Sequence, residues 1–177
     1  MPHLLVRILF RSLFIFFTCH SSAQELQILS LKEIRERGVV MQKWENSCAA
    51  ATIATVLTYA FYDPVSERYA ATKMLEKTDP KKVKMLGGFS LLDLKKFVED
   101  RGYQGRAFKK LAAEDLEAFS APIVPINFYG NSHYVVFNGI KGGVVFLADP
   151  AFGNREIPLS EFKQIWTEGM AFVVSKD

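Results

Sequence analysis

The chain has 177 residues, of which 49% are hydrophobic, 23% charged and 13% aromatic. This composition is typical of one globular domain and excludes a disordered, collagen-like or polytopic membrane protein. Lys and Arg number 22 against 19 Asp and Glu, and without Arg7 and Arg11 of the N-terminal segment they number 20. A balance so close to neutral gives no electrostatic reason to expect nucleic acid or an anionic membrane as a partner.

The N-terminus has the pattern of a secretory signal. Two arginines precede a short apolar stretch, and small residues offer a cleavage site before Gln24. The apolar stretch is too short to cross a bilayer of about 30 Å. We therefore expect a cleaved signal over residues 1–23 and one mature domain over residues 24–177, periplasmic or secreted and with no membrane span. An uncleaved anchor that begins near Leu4 stays open, whereas the bulky residues before Cys19 disfavour a lipoprotein.

Signal removal would leave one cysteine, Cys48, and one histidine, His133. A single cysteine cannot form an internal disulfide, although an exported protein would be in an oxidising compartment. One Cys and one His are also too few for a typical zinc site, which takes three or four Cys, His or carboxylate ligands. The two side chains can instead supply a nucleophile and its base.

Helices are predicted for the first half of the chain. An alanine-rich helix begins at Cys48 with Asn46 or Ser47 as its N-cap and extends to Ala60. It is apolar on almost every side, so we expect it in the middle of the domain. Residues 81–88, rich in lysine and glycine, are predicted to be a solvated loop. The other predicted helices of this half span residues 29–37, 65–77 and 91–101.

Strand patterns dominate from Gly105 onward. The predicted strands span residues 106–109, 123–128, 133–140, 144–149 and 171–174, with short helices over 113–119 and 159–165. Helices followed by strands predict an α+β fold, in which N-terminal helices pack on a mostly antiparallel sheet.

Cys48 is the first candidate catalytic residue. It lies in the first turn of the buried helix, where unpaired amides and the positive end of the helix dipole favour an anion. A thiol in this position is biased toward the thiolate, its nucleophilic form. The alternative is that Cys48 is a small hydrophobic residue of the core.

His133 and Asp149 form a candidate pair on adjacent strands. His133 opens one strand, and Asp149 ends the next. A carboxylate there could fix the imidazole tautomer and stabilise its charged form. The alternatives are a structural histidine with a backbone partner and an Asp149-Pro150 pair that only begins a turn.

The register between these two strands tests the pairing. A regular two-residue turn at the glycine pair after the first strand would place Asp149 opposite Val136, on the other face from His133. A three-residue loop would place Asp149 opposite Val135, on the face of His133. We therefore predict an odd-length loop or an equivalent β-bulge.

Gln42 is the fourth candidate. It precedes Cys48 by six residues, close enough for its side-chain amide to reach an oxyanion beside the thiol. Together with the Cys48 backbone N–H it would form an oxyanion hole. The alternative is a glutamine that is simply solvated in a loop.

Together these residues resemble a known family, the double-glycine leader peptidases, which are papain-like cysteine peptidases that process bacteriocin precursors. The resemblance covers residues 39–174 and implies a papain-like fold with Cys48 as nucleophile, His133 as base, Asp149 as its orienter and Gln42 as oxyanion donor. It implies no metal or cofactor. The matching segments are Gln42-x5-Cys48, Gly88-Phe-Ser-Leu-Leu-Asp-Leu94, His133-Tyr-Val-Val and Ala148-Asp149-Pro150-Ala-Phe-Gly153.

The chain differs from the best-known members of that family in its context. Those members are cytosolic domains fused to exporters, and they cut after Gly-Gly, whereas the signal here indicates a stand-alone exported relative. This chain has Ala49 after the cysteine, where family members often have glycine. The resemblance implies a cysteine endopeptidase that acts on a peptide or protein, with a partner in the envelope or a secretion system. Two alternatives stay open: a peptidoglycan amidase, and a module that binds a peptide without turnover.

Overall fold

The computed structural model describes residues 28–176, so the expected signal over residues 1–23 lies outside the described residues. The helices are α1 (Leu31–Glu36), α2 (Cys48–Thr55), α3 (Glu67–Leu75), α4 (Pro80–Leu86), α5 (Leu91–Glu99) and α6 (Leu159–Ile165). The strands are β1 (Gln104–Phe108), β2 (Ile123–Phe128), β3 (Asn131–Lys141), β4 (Val144–Asp149), β5 (Gly153–Pro158) and β6 (Ala171–Ser175). A 3₁₀-helix covers Ala113–Ala118.

The strands form one sheet with the order β1-β6-β2-β3-β4-β5. Every strand pair in it is antiparallel, which confirms the predicted α+β fold. Apolar side chains on one face pack against α2, α3 and α5, and those on the other face pack against α6 and the 3₁₀-helix. The sheet therefore lies between two helical layers, because its strands are apolar on both faces.

The alanine-rich helix occupies the centre, as predicted. All residues of α2 are buried, and Cys48 is its first residue. The last turn differs from the prediction, because Val56–Ala60 is a π-helix and not an α-helix. The Thr58 hydroxyl exchanges hydrogen bonds with the backbone of Val65, which holds the widened turn against the start of the next segment.

The segment predicted as a solvated loop, residues 81–88, contains most of α4 instead. The Asp79 side chain accepts a hydrogen bond of 2.9 Å from the backbone N–H of Lys81, and Pro80 follows as the first helical residue. Gly87 ends the helix in the left-handed conformation. Asp-Pro at the start and Gly at the end are ordinary helix signals, and they outweigh the run of lysines.

Strand β5 was not predicted either. Its sequence is mostly polar, and of its residues only Gly153 and Ile157 are buried. It lies at the edge of the sheet, where charged side chains are common because they prevent pairing with another chain. The strand brings Arg155 to the neighbourhood of β4.

The register prediction allowed either an odd-length loop or a β-bulge between β3 and β4, and the structure has the β-bulge. The turn between the two strands has two glycines, with φ of +60° and +78°, so a three-residue loop was wrong. A β-bulge at Asn138 shifts the register by one residue. Val136 pairs with Ala148, so Asp149 comes opposite Val135, on the face that the prediction required.

Candidate active site

A cleft of about 710 Å³ opens at the N-terminus of α2. Gln42, Cys48 and His133 all line it, while Asp149 lies behind His133 and is completely buried. The structure therefore brings the four predicted residues to one place. The C-terminal end of α4 forms one wall, and the turn between β2 and β3 forms the other.

The start of α2 is held by a buried acid that the sequence interpretation missed. Ser47 is the N-cap, but its side chain makes no capping hydrogen bond. The Ser47 hydroxyl instead donates to Glu67 Oε1 at 2.5 Å, and the Lys43 backbone N–H donates to the same oxygen at 2.8 Å. Glu67 thus fixes the loop that connects Gln42 to Cys48. A single glutamate at the start of a helix gives no sequence signal of this role.

Thr52 connects α2 to the strand that carries the histidine. Its hydroxyl lies 2.6 Å from the carbonyl oxygen of Cys48 and 3.0 Å from that of Tyr134. Tyr134 is the neighbour of His133 in β3, so the hydroxyl links the first turn of α2 to the imidazole-bearing strand. Buried hydrogen bonds of Glu67 and Thr52 therefore help to fix the position of the Cys48 helix relative to the strand that carries His133.

His133 lies between an acid and a thiol. Its Nε2 is 2.8 Å from Asp149 Oδ1, and its ring is only slightly exposed. The Cys48 side chain lines the same cleft and is the other group whose interaction raises the pKa of the ring. Because Nε2 faces the carboxylate, Nδ1 is the nitrogen left for the sulfur.

These neighbours change the proton affinity of His133. Burial alone would lower the pKa of the imidazole, because it disfavours the charged form. The hydrogen bonds to Asp149 and Cys48 and the charges of both groups act in the opposite direction and raise the pKa of His133 to about 9. The ring is therefore protonated at neutral pH and can stabilise a thiolate at Cys48.

Asp149 is held on both of its oxygens. Oδ1 accepts hydrogen bonds from His133 and from the backbone N–H of Ala151 at 2.8 Å, and Oδ2 pairs with Arg155 Nη1 at 2.9 Å. Burial would raise the pKa of this carboxyl, but the bonds to His133, Arg155 and Ala151 lower it below its usual value. Arg155 could be found from the sequence only after β5 had been recognised.

Gln42 is fixed through its backbone. Its N–H donates to the carbonyl oxygen of Pro150 at 2.8 Å, one residue after Asp149. Its side-chain Oε1 is buried and has no hydrogen-bond partner among the residues that the structure describes. This oxygen is an acceptor, so the role of oxyanion donor falls to the amide nitrogen of the same side chain.

Two kinds of feature were not found in the described part of the chain. Within residues 28–176, no three His, Cys, Asp or Glu side chains are grouped as a metal ion would require. Over the same residues, no helix combines the length and the apolar character needed to cross a membrane.

Residues 36–177 match the family model described as Peptidase C39 family. The chain is 38% identical over 149 residues to the probable functional amyloid protease FapD of Pseudomonas aeruginosa, a match that covers 84% of this chain. The chain spans 65% of the length of that relative.

Two solved structures have a similar fold. A double glycine motif protease from an AMS/PCAT transporter, in complex with the leader peptide, gives a TM-score of 0.63 at 26% identity and covers 78% of this chain and 91% of that one. The peptidase domain of Streptococcus ComA, a bifunctional ABC transporter involved in a quorum sensing pathway, gives 0.64 at 20% identity and covers 78% and 98%.

Proposed function

Since this chain belongs to the peptidase C39 family of papain-like cysteine peptidases, we propose that it hydrolyses peptide bonds with Cys48, His133, Asp149 and Gln42. The observation that carries the proposal is the chain of contacts at the cleft. A fully buried carboxylate holds one nitrogen of an imidazole, and the thiol at the start of α2 lines the same cleft as that imidazole and contributes to its raised pKa.

The chemistry is acyl transfer in two steps. The Cys48 thiolate attacks the peptide carbonyl carbon, and the oxyanion that forms accepts hydrogen bonds from the Gln42 amide and the Cys48 backbone N–H. Protonated His133 gives its proton to the leaving amine, so the C–N bond breaks and a thioester remains on the sulfur. Neutral His133 then takes a proton from water, whose oxygen attacks the thioester and releases the acid and the thiolate.

The substrate proposal rests on similarity. The chain is similar to a probable functional amyloid protease and to a double glycine motif protease. We therefore propose a polypeptide of an envelope or secretion system as the substrate, with cleavage after Gly-Gly. An exported location, from the signal pattern of residues 1–23, would bring the enzyme to such a polypeptide.

A digest of a proteome-derived peptide library tests the activity. The parent protein should cut peptides, Cys48→Ala should cut none, and Gln42→Ala should be slower by about 10² to 10³, the usual cost of one oxyanion donor. Gln164→Ala, on the exposed side of α6, is the matched control and should leave the rate unchanged. Cleavage by Cys48→Ala at the parent rate would contradict the proposal, and an unchanged rate in Gln42→Ala would remove Gln42 from it.

The same digest reads the cleavage sequence, because mass spectrometry of the products identifies the residues before each cut. Products that end in Gly-Gly would support the proposed specificity, and cuts without a preference for glycine would contradict it. Incubation with purified peptidoglycan is the parallel assay. Release of stem peptides, with no cleavage in the library, would favour the amidase alternative.

A further inference from the structure

Asp149 has a partner that the proposed mechanism does not use. The guanidinium of Arg155 lies 2.9 Å from Asp149 Oδ2, while Oδ1 faces His133. The carboxylate is completely buried, and the Arg155 side chain is 24% exposed. Arg155 therefore pairs with the Asp149 oxygen that does not contact His133.

The strand register explains how Arg155 reaches this position. Asp149 pairs directly with Gly153 across β4 and β5, and Arg155 follows two residues later. Residues two apart in a strand share a face, so Arg155 is the diagonal neighbour of Asp149 on the same face. The glycine opposite the carboxylate has no side chain that could block the approach.

Aromatic rings keep the guanidinium in place. The Arg155 guanidinium carbon lies 5.3 Å from the ring centroid of Phe152 and 5.7 Å from that of Phe128. The two rings are 5.2 Å apart, and Phe128 also lies 6.1 Å from the His133 ring. Both Phe128 and Phe152 line the cleft, so the aromatic cluster that contacts Arg155 also borders the candidate active site.

We propose that Arg155 is a positioning residue of this site, one that holds the second oxygen of Asp149 so that the first stays aligned with His133. The inference rests on the proposed function, because it assigns a role within the same catalytic group. Arg155 does not touch the reacting atoms; it acts through the carboxylate, and its contacts with two neighbouring rings restrict the direction of its hydrogen bond.

Two opposite effects should follow from loss of the guanidinium. The carboxylate would be free to turn away from the imidazole, which lowers both the rate and the pKa of His133, since the bond to Asp149 raises that pKa. One positive charge would also leave the group, so protonated His133 would face less repulsion. The charged and titratable groups around the ring are Cys48 on α2, Asp149 on β4 and, through Asp149, Arg155 on β5, while β2 contributes only the apolar Phe128.

The test is an NMR titration of the His133 ring in Arg155→Met, which keeps an apolar stem beside the rings and removes the charge. The His133 resonance is identified as the one absent from His133→Gln. The midpoint should move downward from the parent value by about half a pH unit or more, because the lost alignment of Asp149 with the ring outweighs the lost repulsion from a cation beyond it. Peptide turnover should fall about 10-fold or more in kcat, with KM little changed, as for a group that aligns catalytic residues.

Three further variants make the outcome decisive. Arg155→Lys restores the charge and should return the midpoint to the parent value with part of the turnover. Arg155→Gln still donates one hydrogen bond to the buried carboxylate, so it serves if the Met variant fails to fold; its shorter side chain cannot hold the carboxylate in the same position, so it should show the same downward movement. Arg106→Met, on β1 at the opposite edge of the sheet, is the matched control.

An unchanged or raised midpoint in Arg155→Met, or in Arg155→Gln where the Met variant fails to fold, would overturn the proposal even if thermal stability fell, because an arginine that acts only through its charge would raise the midpoint. The titration needs no substrate. It therefore tests Arg155 independently of whether a cleavable peptide has been found. Absence of turnover in the parent would instead count against the proposed function.

Discussion

His133 and Asp149 illustrate how two residues can be paired correctly from sequence while their surroundings stay hidden. The pair was predicted because each residue lies at the end of a strand, and a register count could place them on one face. Arg155 and Glu67 could not be predicted in this way. Each is an ordinary charged residue in its own segment, and its partner comes from a distant part of the chain. Such contacts depend on tertiary packing, not on local pattern.

The pH dependence of hydrolysis follows from His133. Burial opposes the charged ring, but the bonds to Asp149 and Cys48 prevail and raise its pKa to about 9. In the proposed mechanism the protonated ring stabilises the thiolate and protonates the leaving amine, so activity should be lost as pH rises through about 9. We expect kcat/KM to be level through neutral pH and to fall on the alkaline side.

Rate measurements between pH 5 and 11 check this expectation. Asp149→Asn is the informative variant, because it removes the carboxylate charge that supports the protonated ring. Its alkaline limb should move down toward the ordinary histidine value of about 6.5, and its rate at pH 8 should fall because less of the ring is protonated there. A limb that stays near 9 in Asp149→Asn would show that the carboxylate does not set the pKa of His133.

At the scale of elements, sequence reasoning succeeded where a segment had a regular apolar pattern. The start of α2 and the bounds of β2 and β4 were predicted because each element is a mostly apolar, mostly buried run bounded by capping or turn residues. It failed for α4 and β5, which have few buried residues. The lysines of α4 concealed its capping signals, and the polar side chains of β5 suit an edge strand but give no alternating pattern.

The contact between α1 and β5 gives a stability prediction. Gly153 has φ of +78°, and a Cβ on it would lie 2.5 Å from the backbone oxygen of Arg35. Gly153→Ala should therefore displace the last turn of α1 and lower the free energy of unfolding by more than a positive φ alone would. Gly102→Ala is the matched control, since Gly102 has φ of +81° with no atom within 4 Å of the added Cβ.

Urea unfolding of the two variants measures the difference. Gly102→Ala should lose about 1 to 2 kcal/mol, the usual cost of a left-handed alanine. Gly153→Ala should lose clearly more, and its peptide turnover should also fall because Gly153 pairs with Asp149. If both variants lost the same free energy of unfolding, α1 would move away from the added methyl group without destabilising the protein, which would contradict the prediction.

At the scale of the whole molecule, the order of helices and strands places the Cys48 thiol on α2 and the His133 imidazole on β3. The cleft forms between α4 and the turn of β2 and β3, so both sides of a bound peptide would contact the protein. Exposed apolar residues follow this cleft: Met85 and Leu86 on α4, and Tyr129 on the opposite turn. An extended polypeptide with apolar side chains is the kind of substrate that suits these walls.

The proposed export gives a prediction for the whole chain. When the gene is expressed in a host with a periplasm, the protein should be recovered from the periplasm or the medium with Gln24 as its first residue. N-terminal sequencing of the recovered protein checks the cleavage site. Changing Ala23 to a large residue should block cleavage and leave the longer form in the membrane fraction. Recovery of the full-length chain from the cytosol would contradict the proposed location.

The central claim is that the Cys48 sulfur carries the acyl group during turnover. Its most direct test is a rapid acid quench of the protein with a cleavable peptide, followed by mass spectrometry of the Cys48-containing fragment. We predict a thioester on Cys48 whose added mass equals the N-terminal product of the peptide. Continued cleavage with no adduct on Cys48, or an adduct on another residue, would contradict the account.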